Sequence, residues 1–285
     1  MTVKRGQAFM QNGPVFYLVA TPIGNLTEFS PRAKEVLNTV DAVFCEDTRH
    51  TGLLLKAFDI KKPLISCFEH NENEKAELLL NYLREGKSVA YCSDAGYPLI
   101  SDPGQRLVQK VLDNDFFVSV ISGPSAFLNA LCGSGLDTEH FYFYGFLKAA
   151  PNERRKELES LKDFPSTMIF YEAPHRLIST LRDMEKILGG DRKAVLAREL
   201  TKKHEEYIRG TLSEILSSLH DEKGEFVILI EKGKSLQKSY KEEDIVNLLK
   251  EELKDKKSKE AVKKVAEITK LNSHDIYDLY LKYFR

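Results

Sequence analysis

The first half of the chain repeats one pattern: a short apolar run, a polar or Gly/Pro-rich segment, then an amphipathic stretch. This alternation limits the fold more than any other feature. Val15 to Ala20 is followed by the loop Thr21-Pro22-Ile23-Gly24-Asn25-Leu26 and a helix over Pro31 to Thr39, with Ser30 as N-cap and Pro31 at the first helical position. Ala42 to Cys45 leads into Glu46-Asp47-Thr48-Arg49-His50 and a helix from Thr51 to Phe58. Pro63 to Cys67 leads into Glu69-His70-Asn71 and a helix from Glu72 to Arg84. Ser88 to Cys92 precedes Ser93 to Gly104 and a helix from Gln105 to Asn114. Phe117 to Ile121 precedes Ser122-Gly123-Pro124-Ser125-Ala126 and a short helix to about Cys132. Strand, loop and helix in repetition predict an α/β fold, with a parallel-rich sheet and right-handed crossovers. Every polar loop follows a strand end, so the loops gather along one sheet edge, where open α/β sheets take ligands.

The segment Ser93 to Gly104 stands out among these loops. Most such connections run only about 2–6 residues, so a longer loop rich in Gly and Pro reads as functional. Gly133-Ser134-Gly135 reads as a linker. A second α/β unit follows: a strand at His140 to Tyr144, a helix at Asn152 to Leu161, and a strand at Thr167 to Tyr171. Glu172-Ala173-Pro174-His175-Arg176 then opens a helix to Leu188. A strand at Ala194 to Ala197 ends in Arg198-Glu199-Leu200-Thr201-Lys202; a helix at Ser213 to Leu219 and a strand at Glu225 to Ile230 close the unit. A polar linker, Glu231 to Ser239, leads to three helices at Glu242 to Leu253, Lys259 to Lys270 and Ser273 to Tyr283, with Ser273 as N-cap of the last. The division expected is residues 13–132, an N-terminal α/β domain; 133–232, a C-terminal α/β domain; and 240–285, a small helical tail module.

Composition narrows the function classes. No apolar run reaches the ~18 residues of a membrane helix, and Met1 to Gly13 lack the apolar core of a signal peptide, so no membrane association and a cytoplasmic location are expected. The net charge of −1 argues against a generic nucleic-acid binder, so no DNA partner is expected. From Lys232 to Arg285, however, 14 Lys and Arg face 10 Asp and Glu, a modestly basic tail on an acidic body. Cys45, Cys67, Cys92 and Cys132 lack metal-type spacing and read as buried free thiols in a reducing compartment. The common phosphate-loop, dinucleotide and nucleophile-elbow signatures are absent, and no zinc set is present, so no metal is expected.

Seven segments occur in order: Thr21 to Leu26, Glu46 to Arg49, Glu69 to Asn71, Ser93 to Gly104, Gly123 to Ala126, Phe170 to Arg176 and Arg198 to Lys202. Together they closely resemble a family of small-subunit ribosomal RNA ribose methyltransferases within the tetrapyrrole methylase superfamily. The resemblance runs from about Val15 to Ile230 and into the tail. It implies two α/β domains of the tetrapyrrole methylase type with S-adenosyl-L-methionine in the cleft between them, and a homodimer. It also implies 2′-O-methylation of a decoding-centre cytidine ribose in 16S rRNA of the small ribosomal subunit. This chain departs from the family pattern at Tyr97, where Thr is usual, at Lys148, where Pro is usual, and at Cys67-Phe68, where Tyr-His is usual.

A sulfonium cofactor with an adenosine and an amino-acid end needs small residues, backbone polar groups and apolar walls. Gly96, Pro98, Leu99, Ile100 and Ser101 supply these, with Asp94 and Ala95 from the same loop and Ser125 and Ala126 from the next strand end. Pro22 and Gly24 come from the first loop, and Tyr171, Glu172 and Ala173 from the second domain. Ordinary core packing accounts equally well for Leu99 and Ile100. Methyl transfer to a hydroxyl needs alignment and a proton acceptor. Glu46, Asp47 and Glu172 are the candidate bases; Arg49, Arg176 and Lys202 are candidates to hold phosphates. Arg49 with Asp47 also reads as a structural ion pair, and Glu199 as a partner for Arg198 or Lys202. His70 and His175 read as buried, hydrogen-bonded residues. A small-molecule methyltransferase of the tetrapyrrole type and a non-catalytic ribosome-assembly factor are the alternative functions.

Overall fold

The computed structural model describes residues 13–68, 70–220, 223–233, 240–269 and 271–285. Glu69, Lys270, most of the polar linker before Tyr240 and the segment before Gly13 lie outside the described residues.

The elements run β1 (Val15–Val19), α1 (Pro31–Thr39), β2 (Ala42–Cys45), α2 (Thr48–Ala57), β3 (Leu64–Ser66), α3 (Glu72–Arg84), β4 (Val89–Cys92), α4 (Gln105–Asp113), β5 (Phe117–Ile121) and α5 (Ala126–Ser134). The Ser30 hydroxyl accepts from the Ala33 N–H, so the expected cap of α1 is in place. The first sheet is fully parallel, in the order β3-β2-β4-β1-β5. Alternate strand residues point to opposite faces. Val19, Val43 and Ala90 pack with Phe29 and Leu37 on one face; Leu18, Phe44 and Tyr91 pack with Leu79 and Leu107 on the other.

The second half continues with β6 (Phe141–Phe146), α6 (Pro151–Leu161), β7 (Thr167–Glu172), a 3₁₀ turn at Pro174–Arg176, α7 (Leu177–Leu188), β8 (Lys193–Arg198), β9 (Glu206–Thr211), α8 (Leu212–Ser218) and β10 (Phe226–Ile230). Its sheet, ordered β6-β7-β10-β8-β9, is mixed. Only β6 and β7 run parallel in it; the parallel-rich sheet expected from the repeats of the first half is the first sheet. Gly133 and Ser134, expected in a linker, form the last turn of α5, and Gly135 ends that helix at φ 78°. Ala130 and Leu131 of α5 pack with Ile169, Val195 and Leu229 of this sheet.

Both sheets lie in one compact unit, which extends to Glu159 and resumes over Ser166–Glu231. A second unit comprises Ser160–Pro165 and Lys232–Arg285. Its helices are α9 (Glu242–Glu252), α10 (Ser258–Thr269) and α11 (Ser273–Phe284). They enclose a small core of Ile245, Leu249, Val262, Val265 and Ile276. Asn272, not Ser273, caps α11: its side chain accepts from the His274 N–H, and Ser273 is already helical. Lys282 and the Tyr283 hydroxyl both reach Glu242, at 2.7 and 2.6 Å, and tie α11 to the start of α9.

Candidate functional site

Three loops at the carboxyl edge of the first sheet are fastened to one another by backbone. Thr21 and Gly96 exchange N–H···O bonds of 2.9 and 3.1 Å, and the Thr21 hydroxyl donates to the Ser93 carbonyl. The Gly123 N–H donates to the Tyr97 hydroxyl at 3.2 Å, which ties the loop after β4 to the loop after β5. Four residues of the Ser93–Gly104 loop have positive φ: Gly96 (74°), Leu99 (73°), Ser101 (67°) and Gly104 (123°). The two that are not glycine carry a conformational cost that persists only where surrounding contacts over-determine the loop. A Cβ on Gly104 would lie 3.0 Å from the Tyr91 ring, so the loop closes tightly over the core.

These loops line a cleft of about 490 Å³ together with loops of the second sheet. Of the sequence-derived candidates, Glu46, Asp94, Ala95, Gly96, Ile100, Ser101, Ser125, Ala126, Tyr171, Glu172 and Ala173 line it. Pro22, Gly24, Pro98, Leu99, Asp47, Arg49 and Lys202 do not. Leu99 packs into the core beneath the loop, the alternative already open from its type. The Lys202 stem lies where a Cβ of Gly24 would fall, which joins the first loop to the Arg198–Lys202 loop. Phe146 and Tyr171 line the cleft with ring centroids 5.6 Å apart, and Phe143 and Phe127 stack behind Tyr171 in the core at 5.0 and 4.5 Å.

A family model described as Tetrapyrrole (Corrin/Porphyrin) Methylases matches residues 15–216. The chain is 42% identical over 274 residues to ribosomal RNA small subunit methyltransferase I of Bacillus subtilis, covering 93% of this chain and 94% of that one. It is 43% identical over 276 residues to the protein of the same name from Synechocystis, covering 94% and 98%. The chain belongs to the ribosomal RNA small subunit methyltransferase I family. The fold agrees: a uroporphyrin-III C-methyl transferase from Thermus thermophilus, solved with S-adenyl homocysteine, aligns with a TM-score of 0.54 at 17% identity, over 78% of this chain and 98% of that one. A diphthine synthase aligns at 0.58 and 15% identity, over 76% and 89%.

In this member of the family the cleft is strongly acidic. Five carboxylates line it, from Glu46, Asp94, Asp102, Glu172 and Glu225, with no Lys, Arg or His among the described lining residues. Two of the five are neutralised from behind. Glu172 is buried and accepts from the Ala173 N–H (2.8 Å), the Thr180 hydroxyl (2.5 Å) and an Arg176 Nη (3.3 Å), with the Arg176 Nε in ion-pair contact at 3.2 Å. Arg176 also donates to the Leu147 carbonyl at 2.8 Å, so it is a structural cation and not a free phosphate holder. Lys202 pairs with Glu225 (3.1 Å) and Glu199 (2.9 Å). Burial works against its charge, but those two hydrogen bonds outweigh it and hold the ammonium above its usual range. Glu46, Asp94 and Asp102 have no ion-pair partner among the described residues. Burial, then Asp94 and Asp47, pushes Glu46 up from the ordinary carboxylate value. Burial, then Glu46, pushes Asp102 up to about 6, against a hydrogen bond from Ser93.

Such a cleft fits S-adenosyl-L-methionine. The buried Asp94 Oδ1, without a hydrogen-bond partner among the described residues, suits a cationic sulfonium or ammonium, and the Phe146 and Tyr171 rings in the lining suit adenine. Asp47 has a different part. It caps α2, which begins at Thr48 inside the segment expected to be loop, and its carboxylate grips the Arg49 side chain at 2.6 and 3.1 Å. Those hydrogen bonds hold Asp47 well below the usual carboxylate range. The Arg49 side chain remains 89% exposed. His70 and His175 are exposed, contrary to their reading as buried residues, and Cys132 is the one exposed cysteine. Sequence reasoning missed Ile23, Tyr97, Asp102, Phe146, Leu200 and Glu225 as lining residues. Asp102 was concealed because Asp-Pro-Gly reads as turn punctuation.

Proposed function

We propose that this chain uses S-adenosyl-L-methionine to methylate the ribose 2′-hydroxyl of a decoding-centre cytidine in 16S rRNA of the small ribosomal subunit. The observation that carries the reading is the acidic cleft, three of whose five carboxylates have no ion-pair partner among the described residues, set beside relatives named for a small-subunit ribosomal RNA activity. When bound, the cofactor supplies an electrophilic methyl group on a cationic sulfur. The chain's own part is to bind and orient. Gly96, Ser101, Ser125 and Ala126 allow close approach on one side, and Tyr171 and Ala173 form the other. Isothermal titration with the cofactor, and transfer of labelled methyl to small subunits but not to a tetrapyrrole, tests the reading. Binding without transfer to subunits favours the small-molecule or assembly-factor alternative.

Arg49 is the RNA-positioning candidate on this reading, because its guanidinium stands in solvent beside the cleft residue Glu46. Arg49→Ala is expected to lower methylation at least about tenfold, with cofactor affinity unchanged. An exposed ion pair contributes little, so the melting temperature should move by less than about 2 °C. A large loss of melting temperature would favour the structural ion-pair account.

The enzyme acts as a homodimer in the cytoplasm. Support for the dimer comes from apolar side chains exposed along the two sheet edges, Val120 on β5 and Phe141, Tyr142 and Phe146 on β6. The helical tail adds phosphate contacts. Lys256 and Lys264 pair with Glu252 and Glu267, whereas Lys257, Lys259 and Lys263 are exposed at the start of α10 with no ion pair among the described residues. Changing those three to Gln in the full chain should weaken subunit binding about tenfold and reduce the slope of log affinity against log salt by about 2. Cofactor affinity should not change. An unaltered salt slope assigns the tail to packing.

A further inference from the structure

Among the described residues, every carboxylate near the cleft has a cationic partner except three. Asp47 is held by Arg49, Glu172 by Arg176 and Thr180, and Glu225 by Lys202. Glu46, Asp94 and Asp102 remain, brought together by the sheet: β2 and β4 are neighbours in register, with Cys45 opposite Cys92, so Glu46 and the Ser93-Asp94 step emerge side by side. Asp102, just after the positive-φ residue Ser101 (67°), lines the same cleft as Glu46 and Asp94. A fully buried ring lies beneath this loop, against Gly104. Tyr91 is inaccessible to solvent, its hydroxyl has no hydrogen-bond partner, and Glu46 and Asp102 are among its charged neighbours.

We propose that Glu46 and Asp102 act as a coupled carboxylate pair in which Asp102 accepts the proton of the ribose hydroxyl. This rests on the ribose-methylation reading above. The groups facing Asp102 are Glu46 at the end of β2, Tyr91 in β4, Ser93 and Asp94 in its own loop, and Tyr171 in β7. Glu72 of α3 faces Tyr91, but its carboxylate is already occupied by the Arg106 and Leu107 N–H groups at the start of α4. No cation faces the pair from these elements, so either carboxylate holds a proton more readily while the other is charged. A proton acceptor works best when it titrates near the working pH. In the transfer, the hydroxyl proton moves to the carboxylate as the methyl carbon exchanges its bond to sulfur for one to the ribose oxygen. The carbon–sulfur electron pair remains on sulfur, so one positive and one negative charge vanish together.

Two measurements test the pair. In the ligand-free protein, carboxyl ¹³C NMR should show Asp102 titrating near pH 6, and Glu46→Gln should move that midpoint down. A midpoint near 4 that Glu46→Gln leaves in place overturns the pair, whether or not the protein methylates RNA. In single-turnover transfer to small subunits, the wild-type rate should rise with pH to a plateau through a midpoint near 6, as Asp102 ionises. Asp102→Asn should lower that rate at least about 100-fold and abolish the midpoint, with cofactor affinity within about threefold of wild type. Full activity of Asp102→Asn, or an unchanged midpoint, overturns the assignment. A wild-type protein that titrates as described but transfers no methyl to subunits refutes the ribose-methylation reading and leaves the coupled pair standing.

Discussion

Glu172→Ala should destabilise the protein by about 3–5 kcal/mol, the cost of stranding one partner of a buried ion pair. The Glu172 carboxylate is the hub of the turn after β7. It accepts from the Ala173 N–H at 2.8 Å and the Thr180 hydroxyl at 2.5 Å, and it is the counter-ion of Arg176. Thr180 is fully buried and the Arg176 side chain is 19% exposed, so neither recovers its hydrogen bonds from water without moving. The melting temperature should fall by about 10 °C in scanning calorimetry. Glu172→Gln keeps one acceptor oxygen and should lose less. A melting temperature within about 2 °C of wild type in Glu172→Ala would mean that the turn does not depend on this carboxylate and would restore Glu172 as a free base.

Gly96→Val should lower affinity for S-adenosyl-L-methionine by at least about 100-fold. Gly96 has φ 74°, a region that costs an L-residue about 1–2 kcal/mol and a β-branched one more. It also exchanges both backbone hydrogen bonds with Thr21 and lines the cleft. A valine must either hold that strained conformation or break the bridge that fastens the first loop to the central one. The core should survive: a Cβ here meets its nearest neighbour, the Ile23 Cγ2, at 3.4 Å, an ordinary contact. Gly96→Ala should therefore give a smaller loss. Calorimetric titration separates the cases, and an affinity for Gly96→Val within threefold of wild type would remove the loop from the cofactor site.

The first sheet was legible because each strand, loop and helix repeats a local signal, and Ser30-Pro31 marks its helix start without tertiary help. The second sheet was less so. Glu206 to Thr211 buries only parts of its side chains at a sheet edge, so no apolar run announces β9, and the antiparallel pairing of β8, β9 and β10 has no counterpart in a strand-and-helix rhythm. At the site, residue type pointed to the right loops but not to which carboxylates were free. Asp47 and Glu172 share the chemistry of Glu46. What separates them is Arg49 and Arg176, whose pairing is set by side-chain reach in the folded chain. Asp102 carries no such partner and emerged only in the folded loop, where it lines the same cleft.

The most direct test of the central claim is nucleoside analysis of 16S rRNA. Small subunits from cells lacking this protein are incubated with it and labelled S-adenosyl-L-methionine, and the RNA is digested and resolved by mass spectrometry. One labelled nucleoside is expected, a 2′-O-methylcytidine from the decoding centre, absent when Asp102→Asn replaces the wild type. Label on a base, on another region of the RNA, or on no RNA at all while the cofactor still binds would contradict that claim.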